Sequence, residues 1–141
     1  MHVVWVIAQF VLAAALVLST DWRQLPPVPG ALTLPGMGIA VWAWGTMGLR
    51  RLRVTPTPGK DCQLLMHGPY RWIRHPMYSG LLLFTAPLLV SPADLWRLGA
   101  WLGLVVVLVF KAKEEETLLR ARFPEYADYA ARTARFLPGL Y

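Results

Sequence analysis

Hydrophobic and polar residues along this chain are sorted into long blocks, and four of the blocks are apolar. The first runs from His2 to Thr20 and stops at Asp21 and a linker holding Arg23, Pro26, Pro27 and Pro29. A helix that crosses a bilayer needs about 20 mostly apolar residues, so this block is long enough. The second, Ala31 to Leu49, carries Gly36, Gly38, Gly45 and Gly48, small residues that let a neighbouring helix approach closely in lipid, and Arg50, Arg51 and Arg53 mark its end. The third, Met77 to Val90, is short until Pro76 is added before it and Ser91 and Pro92 after it. The fourth centres on Leu98 to Phe110, is preceded by Leu95 and Trp96, and closes at Lys111 and Lys113. The pattern predicts an all-α, integral membrane four-helix transmembrane bundle in one domain over 1–141, with spans at about 2–20, 31–49, 76–92 and 95–111. The remainder, 112–141, reads as a cytoplasmic helical tail, broken near Phe123, where Pro124 can start a second short helix with Glu125 in its first turn.

Charge gives the bundle its orientation. The segment from Arg50 to Arg74 holds six Lys and Arg, the tail after Phe110 holds another six, and the other two connections hold only Arg23 and Arg97. Under the positive-inside rule the 50–76 connection and the C-terminal tail face the cytoplasm, which places the N-terminus there too and requires an even number of spans. Composition agrees: 56% of residues are hydrophobic and the mean hydropathy is +0.43, against a water-soluble core. The net charge of +6 and pI near 10.0 are a topology signal here rather than a nucleic-acid signal, because the basic residues lie between apolar blocks. The single cysteine, Cys62, excludes an internal disulfide and is expected to be inert rather than nucleophilic. The first apolar run lacks a preceding basic region and is expected to span rather than to be a cleaved secretory signal.

Two segments on the positive side carry groups suited to a zwitterionic ligand. The first reads from His67 through Gly68, Pro69, Tyr70, Arg71, Trp72, Ile73, Arg74, His75, Pro76, Met77, Tyr78 and Ser79 to Gly80. Gly68 and Pro69 make a turn, the proline after His75 biases that residue away from helix, and Pro76 then starts a helix whose free N–H groups, beside Arg71, Arg74 and His75, form an anion site. The alternative is that these arginines only obey the positive-inside rule and bind lipid phosphates. The second segment, Glu114, Glu115 and Glu116, sets three carboxylates just past an apolar helix, where the helix dipole disfavours them. Either a cationic ligand group or pairing with Arg71, Arg74 or the tail arginines explains them. In a continuing helix Glu116 lies about 100° from Glu115, so one carboxylate can face a ligand and its neighbour a structural arginine. His67 and His75 have no matching Asp or Cys, so no metal site is expected.

The pattern Gly-Pro-Tyr-Arg-x-x-Arg-His-Pro-x-Tyr-x-Gly, followed after one span by Glu-Glu-x-x-Leu, then Phe-Pro-Glu-Tyr-x-x-Tyr and a closing Arg-Phe-Leu-Pro, resembles the isoprenylcysteine carboxyl methyltransferase and phospholipid methyltransferase superfamily. The resemblance covers roughly half of the chain, and the first two apolar blocks carry no diagnostic residue. It implies an S-adenosylmethionine-dependent membrane methyltransferase releasing S-adenosylhomocysteine, with the cofactor held from the cytoplasm. The site it implies comprises His67, Gly68, Tyr70, Arg74, His75, Pro76, Met77, Tyr78, Gly80, Glu115 and Glu116 around the cofactor, with His75, Glu115 and Arg74 catalytic. Tyr126, Tyr129 and Arg132 are candidates for the acceptor, although the tyrosines also suit helix packing at the interface and Arg132 a lipid phosphate. The acceptor is expected to be a lipophilic small molecule or lipid offering a carboxylate, amine or thiol, and no dedicated base stands out. Two other readings stay open: a non-catalytic subunit that binds membrane lipids, and a membrane reductase, although no Gly-x-Gly-x-x-Gly loop is present. Gly99 and Gly103 suit packing within the bundle or in a homo-oligomer, and no nucleic-acid partner is expected.

Overall fold

The computed structural model describes residues 2–48 and 64–138; Arg50, Arg51, Arg53 and Cys62 lie outside the described residues. Among these the regular structure is entirely helical, five α-helices with two short 3₁₀ segments. They are α1 (His2–Leu18), α2 (Pro27–Met47), α3 (Pro76–Thr85), α4 (Leu95–Arg122) and α5 (Tyr126–Arg132).

The second helix departs from the expected start. It begins at Pro27 rather than Ala31, because a proline in the first helical turn lacks only an N–H that would have no partner there. The third block divides. Pro87 cannot donate to the carbonyl one turn back, and from Ala86 to Val90 the chain tightens into a 3₁₀ helix. The fourth block and the carboxylates beyond it are one 28-residue helix, about 42 Å long at the usual rise. It ends at Phe123, where Pro124 and Glu125 turn the chain into α5. By length and composition α4 alone, among the described residues, is long and apolar enough to cross a membrane; α1 and the Pro76–Val90 segment are shorter apolar helices.

The helices pack as two pairs, α2 against α3 and α1 against α4. Backbone meets backbone in the first pair: a Cβ on Gly36 would lie 2.3 Å from the Phe84 nitrogen, and one on Gly80 2.7 Å from the Gly36 oxygen. Gly38 and Gly45 instead face open space. In the second pair Leu16, Leu104 and Leu108 form a buried cluster, and Trp5 stacks on Phe110 at 5.6 Å. Arg97 locks the end remote from the carboxylates. It is fully buried and donates to Ser19 Oγ, to Thr20 Oγ1 at 2.9 Å and to the Leu88 carbonyl at 2.6 Å, so the ends of α1 and the 3₁₀ segment are tied to the start of α4.

Candidate functional site

At the other end, two extended stretches frame a cluster of charges. Arg74 and His75 donate their backbone N–H groups to the Ala134 and Arg135 carbonyls at 2.8 and 3.1 Å, and Ala134 donates back to Trp72 at 2.9 Å. Ser79 Oγ donates to the Phe136 carbonyl at 2.5 Å. The segment ahead of α3 is thereby fixed to the chain beyond α5, and both meet α4 one turn past its apolar part.

The neighbouring glutamates of α4 part ways there. Glu116, 3% exposed, accepts from Arg74 Nε at 2.9 Å, from Arg135 Nε at 3.0 Å and Nη2 at 2.8 Å, and faces His75 Nε2 at 3.3 Å. Arg74 also donates to the carbonyls of Ala130, at 2.8 Å, and Thr133. Glu116 is thus the centre of an ion-pair cluster joining α4 to the segments around α3 and α5. Glu115 turns away from that cluster, accepts from the Tyr78 hydroxyl at 2.5 Å and faces His75 Nδ1 at 3.5 Å. Both ring nitrogens of His75 therefore face carboxylate oxygens, which only accept, and this favours the doubly protonated imidazolium. Burial works to lower the pKa of His75, but hydrogen bonds and charge from Glu115 and Glu116 outweigh it and raise it above the usual value. Tyr78 stacks flat on the ring, with centroids 5.3 Å apart.

A cavity of about 780 Å³ opens beside this cluster. Tyr70, Arg74, His75, Tyr78, Lys111, Glu115, Tyr126 and Tyr129 line its polar part, and Val6, Phe10, Ala13, Met37 and Phe84 belong to its apolar wall. The Tyr129 hydroxyl donates to the Tyr70 carbonyl at 2.7 Å, and burial raises its pKa to about 12. The hydroxyls of Tyr70 and Tyr126 are buried with no hydrogen-bond partner among the described residues.

Of the residues singled out in the sequence, Tyr70, Arg74, His75, Pro76, Met77, Tyr78, Gly80, Glu115, Tyr126 and Tyr129 are brought to this one cavity. His67, Gly68, Glu116 and Arg132 are not among its lining. Gly68 has a positive φ of 61° and abuts Thr46, so its place is in the turn. His67 and Arg132 are exposed, the latter bonded to the Asp128 carbonyl at 3.1 Å within its own helix. Glu116 has its oxygens taken by Arg74, Arg135 and His75, so it holds the site together from behind. Gln9, Lys111 and Arg135 were not singled out as site residues. A lone glutamine in an apolar run is the one signal in the sequence that points to Gln9.

A family model for the isoprenylcysteine carboxyl methyltransferase family matches residues 37–121. The chain is similar to a cobalt-zinc-cadmium resistance protein, CzcN, of Cupriavidus metallidurans, at 34% identity over 97% of this chain and 63% of that protein. It is also similar to a methanethiol S-methyltransferase of Mycobacterium tuberculosis, at 29% identity over 89% of this chain and 59% of that protein. A nickel-cobalt-cadmium resistance protein, NccN, of Alcaligenes xylosoxydans xylosoxydans is 29% identical over 97% of this chain and 64% of its own length. The chain therefore spans about six-tenths of the length of these relatives. No solved structure matches.

Proposed function

Since the chain belongs to the isoprenylcysteine carboxyl methyltransferase family, we propose that it is a membrane-embedded, S-adenosylmethionine-dependent methyltransferase acting on a lipophilic acceptor at the cytoplasmic face. The observation that carries the reading is the cavity itself. It is polar at one end, apolar along the other, and holds two buried tyrosine hydroxyls with no partner among the described residues. A buried, unsatisfied hydroxyl costs roughly 1–3 kcal/mol, so a pair of them on one cavity is explained by a polar ligand that completes them. The volume falls within the roughly 300–1,000 Å³ usual for small-molecule sites.

The residues present suit that cofactor. Glu115 is the carboxylate that lines the cavity and would take an ammonium; the Arg74, His75 and α3 N-terminal region would take a carboxylate; Tyr70 and Tyr126 would meet further polar atoms. Bound there, the cofactor supplies a methyl group on a sulfonium, an electrophile that needs no metal and no protein nucleophile. The task left to the protein is alignment and exclusion of water. His75 and Tyr78 perform the first by fixing the Glu115 carboxylate from two directions, and the rigid Glu116 cluster behind them fixes His75. The apolar wall from α1, α2 and α3 performs the second and receives the acceptor's hydrophobic body.

The same reading makes α1, α2, the Pro76–Val90 segment and α4 spans, with both termini on the side of the Glu116 cluster. Exposed apolar faces support it: Ile7 and Val11 on α1, Leu34 and Val41 on α2, and Leu102 and Val106 on α4. The distribution of Lys and Arg supports the orientation.

Calorimetric titration with S-adenosylmethionine and S-adenosylhomocysteine, in detergent and again in lipid nanodiscs, tests the proposal. Saturable binding is expected, weakened by roughly 2- to 10-fold in Tyr70→Phe and in Tyr126→Phe, the value of one neutral hydrogen bond. Both variants should fold at least as stably as wild type, since each removes an unpaired buried hydroxyl. No binding by folded wild type in either medium overturns the reading in favour of a lipid-binding subunit.

A further inference from the structure

His75 and Tyr78 reach Glu115 from two directions, and both of their rings pack against a residue beyond α5. The two rings lie within 2° of parallel, with centroids 5.3 Å apart. Phe136 straddles the pair: its ring centre is 6.0 Å from that of His75 and 6.5 Å from that of Tyr78, tilted by 47° and 46°. Tilted ring pairs at such separations attract through their quadrupoles. Phe136 is 8% exposed and is not among the residues lining the cavity, so it stands outside the space a ligand would fill. Its main chain is pinned beside the same pair. The Phe136 carbonyl accepts from Ser79 Oγ at 2.5 Å, the Arg135 carbonyl accepts from the His75 N–H at 3.1 Å, and the Arg135 side chain takes both oxygens of Glu116. A ring on so fixed a backbone has only two torsions left and acts as a stop for its neighbours. The stop matters most for Tyr78, whose hydroxyl meets Glu115 Oε1 at 2.5 Å from the far end of its ring, where a small swing displaces it furthest. Productive contacts tolerate roughly 10–20° of misorientation, and packing by a supporting residue is what keeps a side chain inside that range.

We propose that Phe136 is a positioning residue of the cofactor site: from outside the cavity it holds the His75 and Tyr78 rings in the stack that presents the Glu115 carboxylate. This rests on the methyltransferase reading. Glu116 fixes His75 by charge, whereas Phe136 fixes both rings by shape. The residue lies outside residues 37–121 matched by the family model, so part of the geometry of the site is set by the chain beyond α5.

The test uses the full protein in lipid nanodiscs, with S-adenosylhomocysteine affinity measured by calorimetry. Phe136→Leu keeps an apolar side chain and removes the ring, and it should weaken binding by roughly 4- to 10-fold, the worth of two aromatic contacts. Leu104→Ala, in the buried cluster of α1 and α4, is the control for stability alone: it should lower the melting temperature at least as far and leave the affinity within about twofold. In a Tyr78→Phe background, which lacks the hydroxyl that Glu115 accepts from, Phe136→Leu should cost no more than about twofold, because the contact the ring positions is already gone. Full affinity in Phe136→Leu, or the same loss with and without the Tyr78 hydroxyl, overturns the proposal. A second readout needs no cofactor. The Tyr78 hydroxyl proton, held on a carboxylate, should give a far-downfield proton NMR signal that is missing in Tyr78→Phe. Its exchange with water should be at least about tenfold faster in Phe136→Leu, as expected for a contact no longer locked by packing, and unchanged in Leu104→Ala. If wild type fails to bind S-adenosylhomocysteine, the methyltransferase reading falls, while this signal still decides the role of Phe136: equal exchange in Phe136→Leu and wild type overturns it.

Discussion

Glu116→Gln separates the two roles that neighbouring glutamates play on α4. Wild-type Glu116 neutralises Arg74 and Arg135, whose side chains are only 10% and 13% exposed, and sits against His75. A glutamine keeps the shape and can still accept one hydrogen bond, but it leaves two guanidinium groups and an imidazolium crowded around a neutral amide. Removing one partner of a buried pair costs about 3–5 kcal/mol, and the bond the glutamine retains puts this case at about 3. For a chain of this size that corresponds to a fall in melting temperature of roughly 6–12 °C. The assay is thermal unfolding in detergent of wild type, Glu116→Gln, Arg135→Met and the double variant, with S-adenosylhomocysteine affinity measured on each below its transition. The double variant should be more stable than the two single losses added together, by about 1 kcal/mol or more, because the two side chains are in direct contact and each single change already removes their shared ion pair. Glu115→Gln, by contrast, should lose affinity for S-adenosylhomocysteine by more than tenfold, with a smaller fall in melting temperature. Equal melting temperatures for Glu116→Gln and wild type, or additivity in the double variant, would refute the claim that this carboxylate holds the site together.

Three further outcomes are expected. Gly80→Ala should destabilise the protein by about 1–3 kcal/mol, the cost of overpacking, since its Cβ would lie 2.7 Å from the Gly36 oxygen and 2.8 Å from the Ala40 nitrogen. Gly99→Ala, with nothing within 4 Å, should be neutral or slightly stabilising in the same thermal assay. His75 has a pKa raised in the folded state, so its contribution is complete below the unfolded value of 6.5 and is lost as the pH rises through the higher folded one. Stability measured by denaturant titration should therefore decline from near neutrality upward, and His75→Gln should flatten that decline; an unchanged pH profile in the variant would show that the imidazolium is not what the two glutamates hold.

What the sequence discloses about this molecule depends on how local the physics is. Apolar blocks are local, and all four became helix; the errors arose where local rules conflict, as at Pro27 and Pro29, which read as linker yet lie in the first turn of α2. The angle of about 100° between successive helix residues is also local, and it anticipated that Glu115 and Glu116 would face different partners, though not which would face which. That choice is made by Arg135, some twenty residues away along the chain, brought back by the backbone pairing of 134 and 135 with 72 to 75. No strand pattern announces this pairing, since it consists of a few hydrogen bonds rather than a ladder.

Arg97 shows the same limit from the other side. As one letter in a charge count it marks the side of the protein with few basic residues, yet in the fold it is fully buried among hydroxyl and carbonyl acceptors from two other segments. Lys111, which the same count uses to close the fourth block, lines the cavity, with its ammonium on the Gln9 side-chain oxygen at 3.0 Å and 4.9 Å from the centre of the Tyr78 ring. The two basic residues look alike in sequence because hydropathy registers only that a charge is present. What distinguishes them is the inventory of acceptors: Arg97 meets enough oxygen atoms to serve as a clasp, whereas Lys111 meets one amide oxygen and the face of a ring.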